Sequence, residues 1–246
     1  MATQPALPLF YRNLVPLSLE QHRHHGLKPH PDAGFARATH AIPLTVDEFP
    51  LAQRHYPIVF TTDDPGIPLA LVGLREGENL FVDEAGRWRE RTYIPAWVRR
   101  HPFMLVRPTP DSDRLSLVFD DSWGLVTEEA ENKLFTGDEP SETTRNILKF
   151  CEEYEAAIAR TRSFMEELKK LGLLMDGQAQ IQNPDMPEPA RFSGFRMVDE
   201  QKLQNIRGDH ARRMVNNGMM GLVYAHLFSL SLMRELFADL QAAGRA

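Results

Sequence analysis

The chain is poor in the residues and motifs that announce a chemistry. Its one cysteine, Cys151, excludes an intrachain disulfide and a zinc site built on several thiolates. No HExxH, Walker-type phosphate loop, GxGxxG or GxSxG occurs, so metalloprotease, nucleotide-binding and α/β-hydrolase readings have no motif to stand on. A basic excess is also lacking. Lys and Arg number 28 against 34 Asp and Glu, a net charge of −6, which argues against a nucleic-acid partner. The longest apolar stretch, residues 219–233, is broken by Tyr224, His226, Ser229 and Ser231. A membrane span needs about 20 apolar residues, so this stretch is expected to be a buried helix. The first residues lack a basic start followed by a continuous apolar run, and a cytoplasmic location is expected.

What is present is the balance of a globular protein. Of the 246 residues, 42% are hydrophobic and 25% charged. The organisation changes along the chain. Residues 1–50 are rich in Pro and His without clear periodicity and read as an irregular arm, anchored by Phe10, Tyr11, Leu14, Val15 and Leu17, with a short helix over 46–54. Residues 56–120 are sheet-rich. Apolar and β-branched runs at 57–61, 69–74, 79–82, 103–106 and 115–119 are separated by turn chemistry such as Asp63-Asp64-Pro65-Gly66. The gaps are too short for helical crossovers, which predicts one small antiparallel sheet. Residues 93–100 are the exception, with room for a helical turn.

Residues 141–246 are helix-rich. Ile147, Phe150, Cys151, Tyr154, Ile158, Met165, Leu168 and Leu171 recur at three- and four-residue steps. Ser141 is placed to cap this helix and Gly172 to end it. Residues 178–189 read as a loop, 192–198 as a strand, and 200–206 as a short helix capped by Asp199. A final helix over 210–242, apolar on nearly all sides, is expected to be central, with Gly218 and Gly221 marking close backbone contacts. The fold class is α+β: a small antiparallel sheet packed with C-terminal helices, in one domain over 1–246.

Several groups are candidates for chemistry. His22, His24, His25, His30 and His40 are potential metal ligands, but no acidic ligand stands at a recognised spacing, and solvated histidines are the preferred reading. Residues 93–103 combine Tyr93 and Trp97 with Arg99, Arg100 and His101. Guanidinium forks bind carboxylates and phosphates, and aromatic faces supply flat walls. The plainer reading is a connector whose aromatics plug the core and whose arginines pair with acids such as Asp120 and Asp121. Those two acids, with Ser122, Trp123 and Gly124, are read as a turn rather than a metal or base site. His226 and Ser229 share a helix face, but a mid-helix serine makes a poor nucleophile, and His226 is read as a satisfied core histidine. Cys151 lies on an apolar stripe and is read as structural.

The ordered motifs resemble one bacterial family. They are Tyr56-Pro57-Ile58-Val59-Phe60; Glu78 to Asp83 with Gly86 and Trp88; Tyr93-Ile94-Pro95 with Arg99-Arg100 and Pro102-Phe103; Asn132-Lys133-Leu134-Phe135; Gly194 to Glu200; and Tyr224 to Leu230. Together they resemble the SapC family, with His101 departing from the tyrosine often found before Pro-Phe. The resemblance implies a link to a surface-layer locus, and gene neighbourhoods with outer-membrane receptors and halogenase-like genes. It carries no catalytic residue with it. It does not concern the peptide-transporter permease of the same name, since the spans of a permease are absent.

The reading that follows is a non-catalytic accessory or binding protein for a small anionic or aromatic ligand or a protein partner. Its ligand-binding residues would be Trp88, Tyr93, Arg99, Arg100 and His226, at a groove between the sheet and the last helix. No metal and no cofactor are expected, and the apolar last helix leaves room for a homodimer. The alternative is a metal- or His-dependent enzyme acting on a small molecule.

Overall fold

The computed structural model describes residues 7–29, 32–108, 114–181 and 189–243. The N-terminal part supplies β1 (Leu14–Pro16), α1 (Leu19–His22), β2 (Gly26–Leu27) and β3 (Ala41–Pro43). A 3-10 turn, Val46–Glu48, leads into α2 (Phe49–Ala52), with Pro50 in the first turn where its missing N–H costs nothing. The middle holds β4 (Ile58–Phe60), β5 (Pro68–Leu71), α3 (Ala96–Arg99), β6 (Phe103–Val106) and β7 (Ser116–Asp120). Short pairs follow: β8 (Val126–Thr127), β9 (Asn132–Lys133), β10 (Phe135–Thr136) and β11 (Glu139–Pro140). Then come α4 (Glu142–Lys170), β12 (Leu174–Ile181), β13 (Ala190–Val198), α5 (Glu200–Gln204), α6 (Gly208–Asn216), α7 (Met219–Ser229) and α8 (Met233–Ala242).

The class is α+β, with antiparallel sheets. The middle strands do not form one sheet. β4 and β5 join β3 on one side and β13 and β12 on the other, in the order β12-β13-β4-β5-β3, whereas β6 and β7 pair with β1 in a separate sheet. The arm is therefore not merely laid over the core: β3 edges the five-stranded sheet, β1 edges the sheet of β6 and β7, and β2 sits between β8 and β9. Residues 79–82 are not a strand. The Asn79 side chain accepts from Phe81 N at 2.8 Å and donates to Ala36 O at 3.0 Å, a local hydrogen-bond set that competes with a ladder.

α4 joins the two sheets. Ser141 accepts from Thr144 N as its N-cap, and Gly172 takes the left-handed conformation just beyond its end. Its 29 residues reach about 44 Å at 1.5 Å per residue. Cys151, near its start, belongs to the apolar cluster of Phe103, Leu105, Leu117 and Phe119. Phe164, Met165 and Leu168, near its end, belong to the larger core with Ile42, Phe60 and Val198.

Two C-terminal expectations are corrected. Residues 178–181 belong to β12, paired with Ala190 to Phe192, rather than to a loop, and 182–188 lie outside the described residues. The alternation is short: Ala179 and Ile181 face the cluster of Met233, Phe237 and Leu240, while Gln178 and Gln180 point to solvent. Gly177 within β12 has the Phe195 ring where a Cβ would stand, 2.1 Å away, so any other residue there requires Phe195 to shift. The final helix is not continuous. Gly218, at φ 79°, stops α6, and Asn217 Oδ1 accepts from Met219 N at 3.1 Å to start α7. α7 carries buried Val223, Ala225, His226 and Ser229 on its inner face, but Tyr224 and Phe228 are 39% and 67% exposed on the other. Its cover is thus one-sided.

Candidate functional site

Residues 93–103 connect the large sheet to the smaller one, and α3 sits in their middle. The anchor of this connector is Glu48, which is 4% exposed. Its Oε2 accepts from Thr45 N at 2.8 Å and Thr45 Oγ1 at 3.0 Å. Its Oε1 accepts from Tyr93 Oη at 3.0 Å and Ala96 N at 2.7 Å. Four donors on one buried carboxylate are what a charge needs away from water. The bond from Thr45 N is one half of a capping box at the Val46–Glu48 turn. The second pair fixes the start of α3.

Tyr93 passes this order outward. Its Oη donates to Glu48 and accepts from Arg99 Nη2 at 3.0 Å. Burial and the neighbouring Glu48 charge push its phenol up to about 12, so it stays protonated. Arg99 Nε donates to Ile94 O at 3.0 Å, and its guanidinium lies 5.5 Å from the Tyr93 ring and 5.2 Å from the Phe150 ring. Arg99 is exposed, yet two hydrogen bonds and two rings hold it in one orientation. Trp88 joins from the opposite side. Its Nε1 donates to Tyr56 Oη at 3.2 Å, and Tyr56 Oη donates to Tyr93 O.

Arg100 turns inward. Its side chain is 3% exposed, and its guanidinium carbon lies 3.8 Å from the Trp97 ring, 4.5 Å from Tyr154 and 5.7 Å from Tyr11. Nη1 is 3.8 Å from Glu155 Oε1, and Nε has no hydrogen-bond partner among the described residues. The expected pairing of these arginines with Asp120 and Asp121 is not made. Asp120 instead accepts from Arg12 N at 2.6 Å, Asn13 N at 3.2 Å and Ser122 N at 3.0 Å. It thus ties the arm to the turn that follows β7, as a turn-forming acid does.

His226 lies apart from the connector's hydrogen bonds. Arg196 pairs with Phe60 between β13 and β4, and in that register Val198 falls opposite Ile58. The imidazole stands between them. Val198 N donates to Nε2 at 3.1 Å, and Nδ1 meets Ile58 O at 2.8 Å, a pattern that requires the proton on Nδ1. The ring stacks on Phe60 at 4.5 Å. Burial lowers its pKa to about 4. Ser229 Oγ donates to His226 O at 2.6 Å and accepts from Ile58 N at 2.8 Å, so it does not address the imidazole. The Ser–His arrangement is a clamp of α7 on β4.

The other candidates are also placed. His22 is buried and its ring lies 5.2 Å from His25 and 5.2 Å from Phe119; His24 is exposed, and His30 lies outside the described residues. No group of three or more His, Cys, Asp or Glu among the described residues is arranged to hold a metal ion. Cys151 is 3% exposed and burial pushes its thiol up to about 11, which suits a structural thiol.

Trp88, Tyr93, Arg99, Arg100 and His226 do not line five clefts of the described residues, one of about 820 Å³ beside Arg37, Asn79 and Asp83, one of about 130 Å³ beside Arg54 and Leu236, and three others. One of about 370 Å³ runs between Phe60, Leu71 and Phe195. One of about 730 Å³ lies between Asp47, Arg160, Phe164, Arg213 and Leu222. A third, about 350 Å³, is walled by Pro43, Ile67, Trp97 and Ile158. The physical reason is close packing: the aromatic rings of the connector fill the space between elements. A model of the SapC family matches residues 17–236.

The chain belongs to the SapC family.

No curated protein and no solved structure matches it significantly. Among the described residues of this SapC chain, no helix is long and apolar enough to cross a membrane. Sequence reasoning found the connector but missed what organises it. Glu48, Tyr11 and Tyr154 are distant in sequence and carry no motif. The one available signal was Thr45-x-x-Glu48, the spacing of a capping box.

Proposed function

We propose that this SapC protein is a non-catalytic binding protein, with residues 93–103 as its recognition segment for an acidic protein partner or a small anionic ligand. The observation that carries the reading is Arg99: an exposed guanidinium held in place by Ile94 O, Tyr93 Oη and the Phe150 ring. A preoriented fork loses less rotamer freedom on meeting a carboxylate than a free side chain does. The conventional catalytic groups are engaged otherwise. His226 spends both ring nitrogens on backbone, and Ser229 does the same with its hydroxyl. A role beside a cell-surface assembly, which the family resemblance implies, fits such an accessory.

The test is quantitative affinity capture with wild-type protein and an Arg99→Ala, Tyr93→Ala double variant. A partner or ligand held by the wild type and weakened at least about tenfold by the pair supports the segment. Unchanged retention by a folded double variant rejects it.

A further inference from the structure

Arg100, one residue on, points the opposite way from Arg99, and its surroundings are those of a covered site. A guanidinium carries five N–H donors, and buried ones are ordinarily met by carboxylates or carbonyls. Here the nearest carboxylate oxygen is 3.8 Å away, on Glu155, which is 37% exposed and sits at the rim. Nε is buried without a partner, and so is the hydroxyl of Tyr154, whose ring lies 4.5 Å from the guanidinium. Two unmet polar groups, both nine-tenths or more buried, thus stand in one aromatic chamber with Trp97 as a wall.

The cover of this chamber is a strap, the segment that precedes β1, outside any helix or strand, with Tyr11 buried in it. Residues 7–13 cross it, and the Tyr11 ring fills its mouth, 5.4 Å from the His101 ring and edge-on to Trp97 at 6.5 Å. The strap is held along its length, and Phe10 packs edge-on against Phe35 at 5.0 Å. Leu9 O accepts from Trp97 Nε1 at 3.2 Å, while Arg12 and Asn13 donate to Asp120. Tyr11 Oη donates to Phe103 O at 2.8 Å. Between these fastenings Phe10 adopts φ 79°, a conformation that disfavours a residue with a Cβ, and Leu7 and Leu9 are exposed.

We infer that the chamber around Arg100 is a binding site for a flat aromatic carboxylate, whose ring replaces that of Tyr11 when residues 7–13 lift. The carboxylate takes two N–H bonds from Arg100, including that of Nε, and the O–H of Tyr154. Its ring enters the walls that Tyr11 now occupies. This deepens the binding reading by naming a ligand class, and it concerns the buried arginine while that reading stands on the exposed one.

The probe is benzoate, titrated by calorimetry and amide NMR into the full chain. Tyr11→Ala opens the mouth, and the isosteric Asp120→Asn loosens the strap with Tyr11 intact. Each is expected to bind benzoate at least about tenfold more tightly than wild type. On the Tyr11→Ala background, Arg100→Lys is expected to weaken benzoate at least about tenfold, and benzamide is expected to bind about tenfold more weakly than benzoate. Arg207→Ala, at an exposed arginine outside both the chamber and the connector, leaves benzoate affinity within about twofold, and partner capture lost at Arg99 with the chamber's benzoate binding intact separates the two readings. Circular dichroism establishes that each variant is folded, and the benzamide comparison needs no arginine variant. The inference is overturned if neither lid variant gains affinity, if benzoate fails to bind at about 10 mM, or if benzamide binds as well as benzoate.

Discussion

The imidazole of His226 stands in the hydrogen-bond line between Val198 and Ile58, with Nδ1 2.8 Å from the Ile58 carbonyl oxygen and Nε2 3.1 Å from Val198 N. In the register of Arg196 opposite Phe60, those two backbone groups face each other, and the ring bridges a gap that they would otherwise close directly. β4 and β13 therefore diverge at this point, and α7 enters between them. Ile58 has both backbone groups met by α7, since its N–H goes to Ser229 Oγ at 2.8 Å.

This geometry fixes a pH dependence. The folded-state pKa of His226 is lowered to about 4 from 6.5 by burial, so the unfolded chain binds a proton that the folded chain does not. The contribution of neutral His226 is complete above about pH 6.5 and is lost as pH falls toward 4, with a slope of at most about 1.4 kcal/mol per pH unit. His226→Ala leaves Val198 N and Ile58 O unmet in the core and is expected to cost about 2–4 kcal/mol at pH 7.5. Urea titrations at pH 7.5 and 5 measure both effects. A wild-type curve that is flat over that range would contradict the buried neutral imidazole.

Glu48 gives a second test. Glu48→Ala strands Thr45, Tyr93 Oη and Ala96 N around a cavity and is expected to cost about 3 kcal/mol or more. Glu48→Gln keeps the shape and one acceptor oxygen, so a loss nearer 1–2 kcal/mol is expected. Chemical denaturation orders the two variants. Equal losses would mean that volume, not the hydrogen bonds, is what Glu48 supplies.

Asp120 predicts the behaviour of the arm. Although burial opposes its charge, hydrogen bonds from Ser122, Arg12 and Asn13 hold its carboxyl below the usual value of 3.8. Its contribution is thus present above about pH 3.8 and is lost as pH falls through the lowered folded value. Asp120→Ala is expected to cost about 2 kcal/mol and to expose residues 7–13 to proteolysis in the otherwise folded protein. Mass spectrometry of a timed digest reads the first cleavage, and a first cut elsewhere counts against the strap being held there.

Gly218 and Gly221 are expected to respond with opposite signs. A Cβ meets nothing within 4 Å at either, so the expected close backbone contacts are not the reason for these residues. Gly218 is needed for its φ of 79°, and Gly218→Ala is expected to destabilise by about 1–2 kcal/mol. Gly221 lies within α7, where Gly221→Ala is expected to stabilise by about 0.5–1 kcal/mol. Thermal melts of the two single variants decide it, and like signs would contradict the break between α6 and α7.

Much of the local structure was determined by the sequence itself. The stripe from Ile147 to Leu171, with Ser141 before it and Gly172 after it, specifies α4 because helix periodicity and capping are properties of neighbouring residues. The same holds for Asp199 ahead of α5, and for the apolar runs that became β4, β6 and β7. What only the tertiary structure decided depends on partners far apart in the chain. Nothing local separates β4 and β5 from β6 and β7. They part because β13 and β3 pair with β4 and β5, while β1 pairs with β7. Arg99 and Arg100 are the same residue type in consecutive positions, and both carried one expectation. One became an ordered surface group and the other a buried cation, because a helical turn sends adjacent side chains in different directions and Tyr11 and Tyr154 arrive from distant segments to enclose the second.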